Sequence, residues 1–249
     1  MEERPSLPQG AGAFPEILIV AGVENVLVPA LLISAGLNWY AAWKLKLKLY
    51  YITKPMVMLL ILALFLSWVG VLAPALPFLI GLGLSLLGDI FLIPRSRGWF
   101  FAGLVTFFFA HLAYIHGFNA APAPLRPTVL VSAGAFAVLA ILSAYVIRKT
   151  GNKPELKPMR RIYLPYGLVL VVMTASALLC LFRFDWPLRA AAISAFGAVL
   201  FLFSDAMHAA DRLGKRIPRV KFWIIATYHI GQLLIALGAA QWVLHRSSF

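Results

Sequence analysis

Two aspartates sit deep in apolar stretches of this chain, and each is followed by a histidine in the next stretch. Asp89 closes the run Gly81-Leu-Gly-Leu-Ser-Leu-Leu-Gly-Asp89, with His111 beyond it. Asp205 closes Gly197-Ala-Val-Leu-Phe-Leu-Phe-Ser-Asp205, with His229 beyond it. The Gly-to-Asp spacing is eight residues in both runs, and the Asp-to-His spacings are 22 and 24. A carboxylate in hydrocarbon is costly unless it is paired, protonated or hydrated, so two in matching positions point to one polar site. A carboxyl group in apolar surroundings keeps its proton to higher pH than one in water, as a general acid requires. Two that approach each other can divide into one acid and one base.

A cation is available to such a site. Lys54, in Tyr50-Tyr-Ile-Thr-Lys54-Pro55, either snorkels to the membrane interface or faces a carboxylate or phosphate within the bundle. Pro55 removes a backbone donor from the helix beside it. The set suits acid-catalysed hydrolysis of a lipid. Neither Gly-x-Ser-x-Gly nor His-Glu-x-x-His occurs, so no activated nucleophile or zinc motif competes. Two Asp with one or two His could hold a metal, but their spacing is not diagnostic. The expectation is no metal and no cofactor. The competing structural reading is that these polar groups only join helices, at about 1 kcal/mol per contact.

The elements that must position these residues are membrane spans. The chain is 62% hydrophobic and 12% charged, beyond what a soluble core needs. Its 249 residues divide into about eight apolar runs of spanning length, near 14–37, 50–71, 74–93, 98–119, 127–147, 162–182, 187–209 and 220–244. The expected architecture is an all-α polytopic helix bundle, one transmembrane domain over 1–249. Aligning Asp89 with Asp205 and His111 with His229 uses offsets of 116 and 118, and it brings Pro55 near Pro165. That suggests a parallel 4+4 repeat with halves at about 14–147 and 148–244. The start, Met1-Glu-Glu-Arg4, does not read as a secretory signal. The lone cysteine, Cys180, reads as a small buried apolar residue.

The net charge of +13 is distributed as a membrane protein requires. Loops after spans 1, 3, 5 and 7 carry 16 Lys and Arg, against 5 on the opposite side. The positive-inside rule places the 16 in the cytoplasm, against anionic lipid headgroups, and both termini outside. No basic segment is long or aromatic enough for a nucleic-acid site. The compact chain reads as a multi-pass protein of a bacterial inner membrane.

Topology then assigns depths. Asp89 and Asp205 fall in the cytoplasmic halves of spans 3 and 7, and Lys54 enters from the same side. Ser85 lies one turn before Asp89, and Ser204 adjoins Asp205. Tyr228 and Gln232 share a face of span 8. His111 is expected past the middle of span 4, and Glu24 near the middle of span 1. The candidate catalytic residues are Asp89, Asp205 and His111. The candidate substrate-binding residues are Lys54, Ser85, Ser204, Tyr228, Gln232 and Glu24.

Several short motifs, in this order and spacing, resemble the YhhN-like lysoplasmalogenase family of multispan membrane proteins. They are Tyr51-Ile-Thr-Lys54-Pro55, Leu84-Ser85-Leu-Leu-Gly88-Asp89, Phe109-Ala-His111-Leu-Ala-Tyr114-Ile, Gly197 to Ser204-Asp205, and Thr227-Tyr228 to Gln232-Leu-Leu-Ile. The resemblance covers roughly Leu18 to Leu244. It implies eight spans and hydrolysis of the vinyl-ether bond of lysoplasmalogens to a fatty aldehyde and glycerophosphoethanolamine or glycerophosphocholine. The partners implied are a lysophospholipid substrate and membrane lipids. Vinyl-ether hydrolysis needs a protonated acid, a negative charge beside the resulting cation, and a positioned water. The two aspartates can fill the first two roles in either order, and Lys54 with Tyr228 can hold the phosphate. Interior acids and a membrane lysine in parallel repeats equally describe a small proton-coupled transporter, the alternative from another class. A lipid-binding or structural membrane protein is a third reading.

Overall fold

The computed structural model describes residues 22–94, 96–120, 157–212 and 217–247, with side chains from residue 164 in the third block. Seven helices in these residues are long and apolar enough to cross a membrane. They are α1 (Val23–Trp43), α2 (Leu47–Val69), α3 (Leu76–Phe91), α4 (Arg97–Phe118), α5 (Lys157–Leu179), α6 (Leu188–Arg212) and α7 (Val220–Arg246). No strand occurs among the described residues. The protein is a polytopic helical membrane protein. The expected span at 127–147 lies outside the described residues, and so does the sequence on which a test of the 4+4 repeat depends.

Local chemistry sets the helix ends. Gly70, at φ 59, closes α2 in a conformation that L side chains rarely adopt. A single 3₁₀ turn, Ala73–Ala75, then leads into α3, with Pro77 in its first turn, where a missing N–H costs nothing. Ser96 caps α4 by accepting from the Trp99 N–H at 3.4 Å. Bulky apolar side chains such as Leu32, Ile33, Ile52, Phe109, Leu168, Phe196 and Phe203 point outward, as a lipid-facing belt does.

Three antiparallel hairpins build the bundle. In α1–α2, Asn38 donates from Nδ2 to the Tyr50 carbonyl and to Thr53 Oγ1, both at 2.9 Å. Pro55 cannot donate to the Tyr51 carbonyl, so this polar bracket braces the turn it loosens. In α3–α4, glycines receive aromatic rings: Gly81 faces Tyr114, Gly88 faces Phe107, and Gly117 faces Phe78. In α6–α7, glycines receive main chain. A Cβ on Gly197 would stand 2.7 Å from the Gly231 carbonyl oxygen, and one on Gly231 would stand 2.8 Å from the Gly197 oxygen. Small residues permit this approach, and dispersion between the backbones holds it.

Helix α7 is the most enclosed and packs on α1, α2, α3 and α6. Near its far end the Trp242 ring stacks on Trp186 with centroids 4.7 Å apart, and its Nε1–H donates to the Asp185 carbonyl at 3.1 Å. Helices α4 and α5 run parallel, with His111 beside Tyr166 and Phe118 beside Cys180. The thiol of Cys180 is buried and donates to the Ser176 carbonyl at 3.3 Å, as a small core residue would.

Candidate active site

The half of the bundle in which α2 begins and α6 ends holds two charged centres. In the first, Lys54 of α2 meets Asp89 of α3, with Nζ 2.9 Å from Oδ1. The side chains are 11% and 1% exposed, so this is a buried ion pair that neither partner could leave alone without a large desolvation cost. Pro55 and the Asn38 bracket fix the helical turn that presents Lys54. The Tyr228 ring of α7 lies 6.0 Å from the ammonium, within cation–π range. Asp89 Oδ2 and the Tyr228 hydroxyl are both buried and form no close hydrogen bond among the described residues. They are neighbours, because the Tyr228 hydroxyl lies within side-chain hydrogen-bonding reach of the Asp89 carboxyl.

In the second centre, Asp205 of α6 faces α4 and α5. Its Oδ2 accepts a 2.5 Å hydrogen bond from the Tyr166 hydroxyl and lies 3.8 Å from His111 Nε2. His111 Nε2 is also 3.2 Å from the Tyr166 oxygen. Asp205 is 18% exposed, against 1% for Asp89. Tyr166 and His111 both address Oδ2.

An aromatic wall joins the two centres. Phe201 packs edge-on to His111 at 5.0 Å and to Tyr228 at 5.3 Å, and Phe107 meets Tyr228 at 5.9 Å. The charges sense each other across it, because Asp205 interacts electrostatically with both Asp89 and Lys54. Seven residues of helix, about 10 Å, separate Lys54 from the start of α2, and the same length separates Asp205 from the end of α6.

The other expected residues divide. Ser85 accepts from Gln232 Nε2 at 3.0 Å, and Gln232 Oε1 accepts from the Tyr114 hydroxyl at 2.7 Å. This buried ladder lies one turn from Asp89 and Tyr228 on the same faces of α3 and α7, so it fixes their relative height. Ser204 donates to the Ile224 carbonyl at 2.9 Å and ties α6 to α7. Glu24 requires a correction. It lies in the first turn of α1, not mid-span, because Gly22 takes a left-handed conformation at φ 113 and the helix begins only at Val23. There it accepts from Trp68 Nε1 at the far end of α2, at the other end of the bundle from Lys54. His229 is buried beside Tyr228, and neither ring nitrogen has a hydrogen-bond partner among the described residues.

Two residues at the site were not anticipated. Tyr166 holds Asp205, and its only signal was its place after Pro165, the counterpart of Pro55. His208 lies three residues past Asp205 on α6, and helical spacing alone would have put it on that face. No group of three or more His, Cys, Asp or Glu able to hold a metal occurs among the described residues.

The model of the YhhN family matches residues 49–239, which include both centres. The chain belongs to the YhhN family. Among curated proteins it is 28% identical to the lysoplasmalogenase TMEM86A of Homo sapiens, over 72% of this chain and 76% of that one. It is 29% identical to the lysoplasmalogenase TMEM86A of Bos taurus over the same shares, and 32% identical to the lysoplasmalogenase TMEM86B of Rattus norvegicus over 63% of this chain and 58% of that one. No solved structure matches the chain.

Proposed function

We propose that this YhhN-family protein is a membrane-embedded lysoplasmalogenase in which Asp205 is the acid and Asp89 the base. The supporting observation is the unequal setting of the two acids beside one aromatic wall: Asp89 is sealed against a cation, and Asp205 is not. An ammonium 2.9 Å away is a charge that favours the carboxylate form of Asp89, the form that accepts a proton. Asp205 is 18% exposed, and both Tyr166 and His111 approach its Oδ2. The names of the relatives point to the same hydrolysis and give no support to the transporter alternative.

The steps balance as follows. Asp205 transfers its proton to the vinyl carbon β to oxygen, and the π pair forms the new C–H bond. The ether oxygen shares the positive charge as an oxocarbenium ion, which the Tyr228 and Phe201 ring faces and the nearby carboxylates stabilise. Tyr166 donates to the carboxylate that the transfer leaves on Asp205. Water between Asp89 Oδ2 and the Tyr228 hydroxyl adds to the cationic carbon and gives a proton to Asp89. The hemiacetal then collapses. Its carbon–oxygen bond to glycerol breaks as the proton on Asp89 passes to the glycerol oxygen, and the hemiacetal hydroxyl releases its proton to Asp205 as the fatty aldehyde leaves, which restores both acids. The excess of Lys and Arg in the loops at this end supports a site open to the cytoplasmic leaflet, and the compact chain supports a bacterial inner membrane.

The test is aldehyde release by purified protein in detergent, from a lysoplasmalogen and from its acyl-ester counterpart. Aldehyde should come from the vinyl ether only, and Asp205→Asn and Asp89→Asn should each lower turnover at least about 100-fold while the protein still folds. Near-normal turnover in both variants would end this reading.

A further inference from the structure

The sequence left Lys54 free to hold a lipid phosphate. In the structure its ammonium is engaged by Asp89 and is largely buried. A phosphodiester still needs a cation, and α6 carries two donors on the turns beyond Asp205. His208 and Arg212 lie three and seven residues further along, about 4.5 and about 10 Å up the axis toward the cytoplasmic end. Both side chains reach the same aromatic ring. The Arg212 guanidinium sits 4.5 Å from the centroid of Phe100, in the first turn of α4, and the His208 ring is 6.2 Å from it. His208 also interacts electrostatically with Asp205, Lys54 and Asp211. Arg212 is exposed and forms no ion pair among the described residues.

We propose that His208 and Arg212 form the phosphodiester subsite for a lysophospholipid whose ether oxygen lies at Asp205. This rests on the hydrolase reading and deepens it. Five bonds separate a vinyl-ether oxygen from phosphorus in such a lipid. At about 1.5 Å per bond they reach roughly 6 Å when extended. That length falls between the heights of His208 and Arg212 above Asp205. The phosphate then lies at the level of the interface, and the chain runs down into hydrocarbon. Arg212 supplies a forked donor held flat by Phe100, and His208 supplies one N–H in either protonation state.

Binding tests this apart from catalysis. The probes are a saturated-ether lysophosphoethanolamine, which the enzyme cannot hydrolyse, and the matching monoalkylglycerol without phosphate. Arg212→Gln should weaken binding of the phospholipid about tenfold, His208→Gln should weaken it less, and both should change monoalkylglycerol binding under about twofold. Arg212→Lys should fall between Arg212→Gln and wild type. Unchanged phospholipid binding in both Gln variants would overturn the subsite, and so would equal losses for both probes. Competition by chain-free glycerophosphoethanolamine as strong as by the lipid would overturn the assignment to a lipid phosphate. If wild type releases no aldehyde from a lysoplasmalogen, the hydrolase reading fails while the binding comparison still decides the subsite.

Discussion

The hairpins α3–α4 and α6–α7 each carry an aspartate eight residues after a glycine, yet they surround it differently. In α3–α4 the glycines admit aromatic rings, and Asp89 turns away from its own hairpin to meet Lys54 of α2. In α6–α7 the glycines admit backbone, and Asp205 turns toward α5, where Tyr166 takes one oxygen and leaves the other. One spacing thus yields a sealed ion pair in one hairpin and a hydrogen-bonded, partly exposed carboxylate in the other. Electrostatic environment follows from the neighbour each hairpin receives, not from the motif.

The sharpest way to break this contrast is to remove the partner of the sealed acid. Lys54→Met leaves a buried carboxylate without its cation, which costs about 3–5 kcal/mol. The variant should unfold at clearly lower temperature in detergent, and adding Asp89→Asn should restore much of the loss. Asp205→Asn, at a carboxylate that is 18% exposed, should move thermal unfolding far less than Lys54→Met. Equal thermal shifts for the two would erase the distinction between the centres.

Much of this was legible from the chain. Six described helices begin or end within a few residues of the runs read from hydropathy, because twenty apolar residues have one use in a bilayer. Helix α1 is the exception. It continues to Trp43 because Asn38 is satisfied by Thr53 and Tyr50 while Ala41 and Ala42 are buried against neighbours. Hydropathy counts Asn38 as a break, and only a partner helix cancels that cost. Glu24 was misplaced for the related reason that the helix starts later than its apolar residues. Lys54 was read as a substrate-binding cation from its place beside Pro55, and its 2.9 Å approach to Asp89 of another helix was not legible in the chain. Tyr166 was out of reach, since nothing local says that a tyrosine on α5 meets an aspartate 39 residues away.

The glycine contrast makes a second comparison. Gly231→Val forces a branched side chain against the Gly197 carbonyl oxygen, which cannot move without separating α6 from α7. A cost of about 3 kcal/mol is expected. Gly88→Ala meets the Phe107 ring, 2.6 Å from the new Cβ, and a ring can shift by tenths of an ångström. Its cost should be about 1 kcal/mol. Thermal unfolding of the two variants measures the difference, and the reverse order would mean that the aromatic face is the more rigid one.

The smallest effect isolates what Tyr166 does for Asp205. Tyr166→Phe keeps the ring against His111 and removes only the hydroxyl that donates to Oδ2. A hydrogen bond to a charged acceptor contributes more than a neutral one, and on this mechanism it is strongest after the proton has left Asp205. Turnover should therefore fall about tenfold, with the concentration dependence on substrate little changed. Stability should change by about 1 kcal/mol, because Asp205 keeps some access to water. A variant with wild-type turnover would show that Tyr166 braces α5 against α6 and does not tune the acid. That outcome would leave the difference between the two aspartates to burial and Lys54 alone.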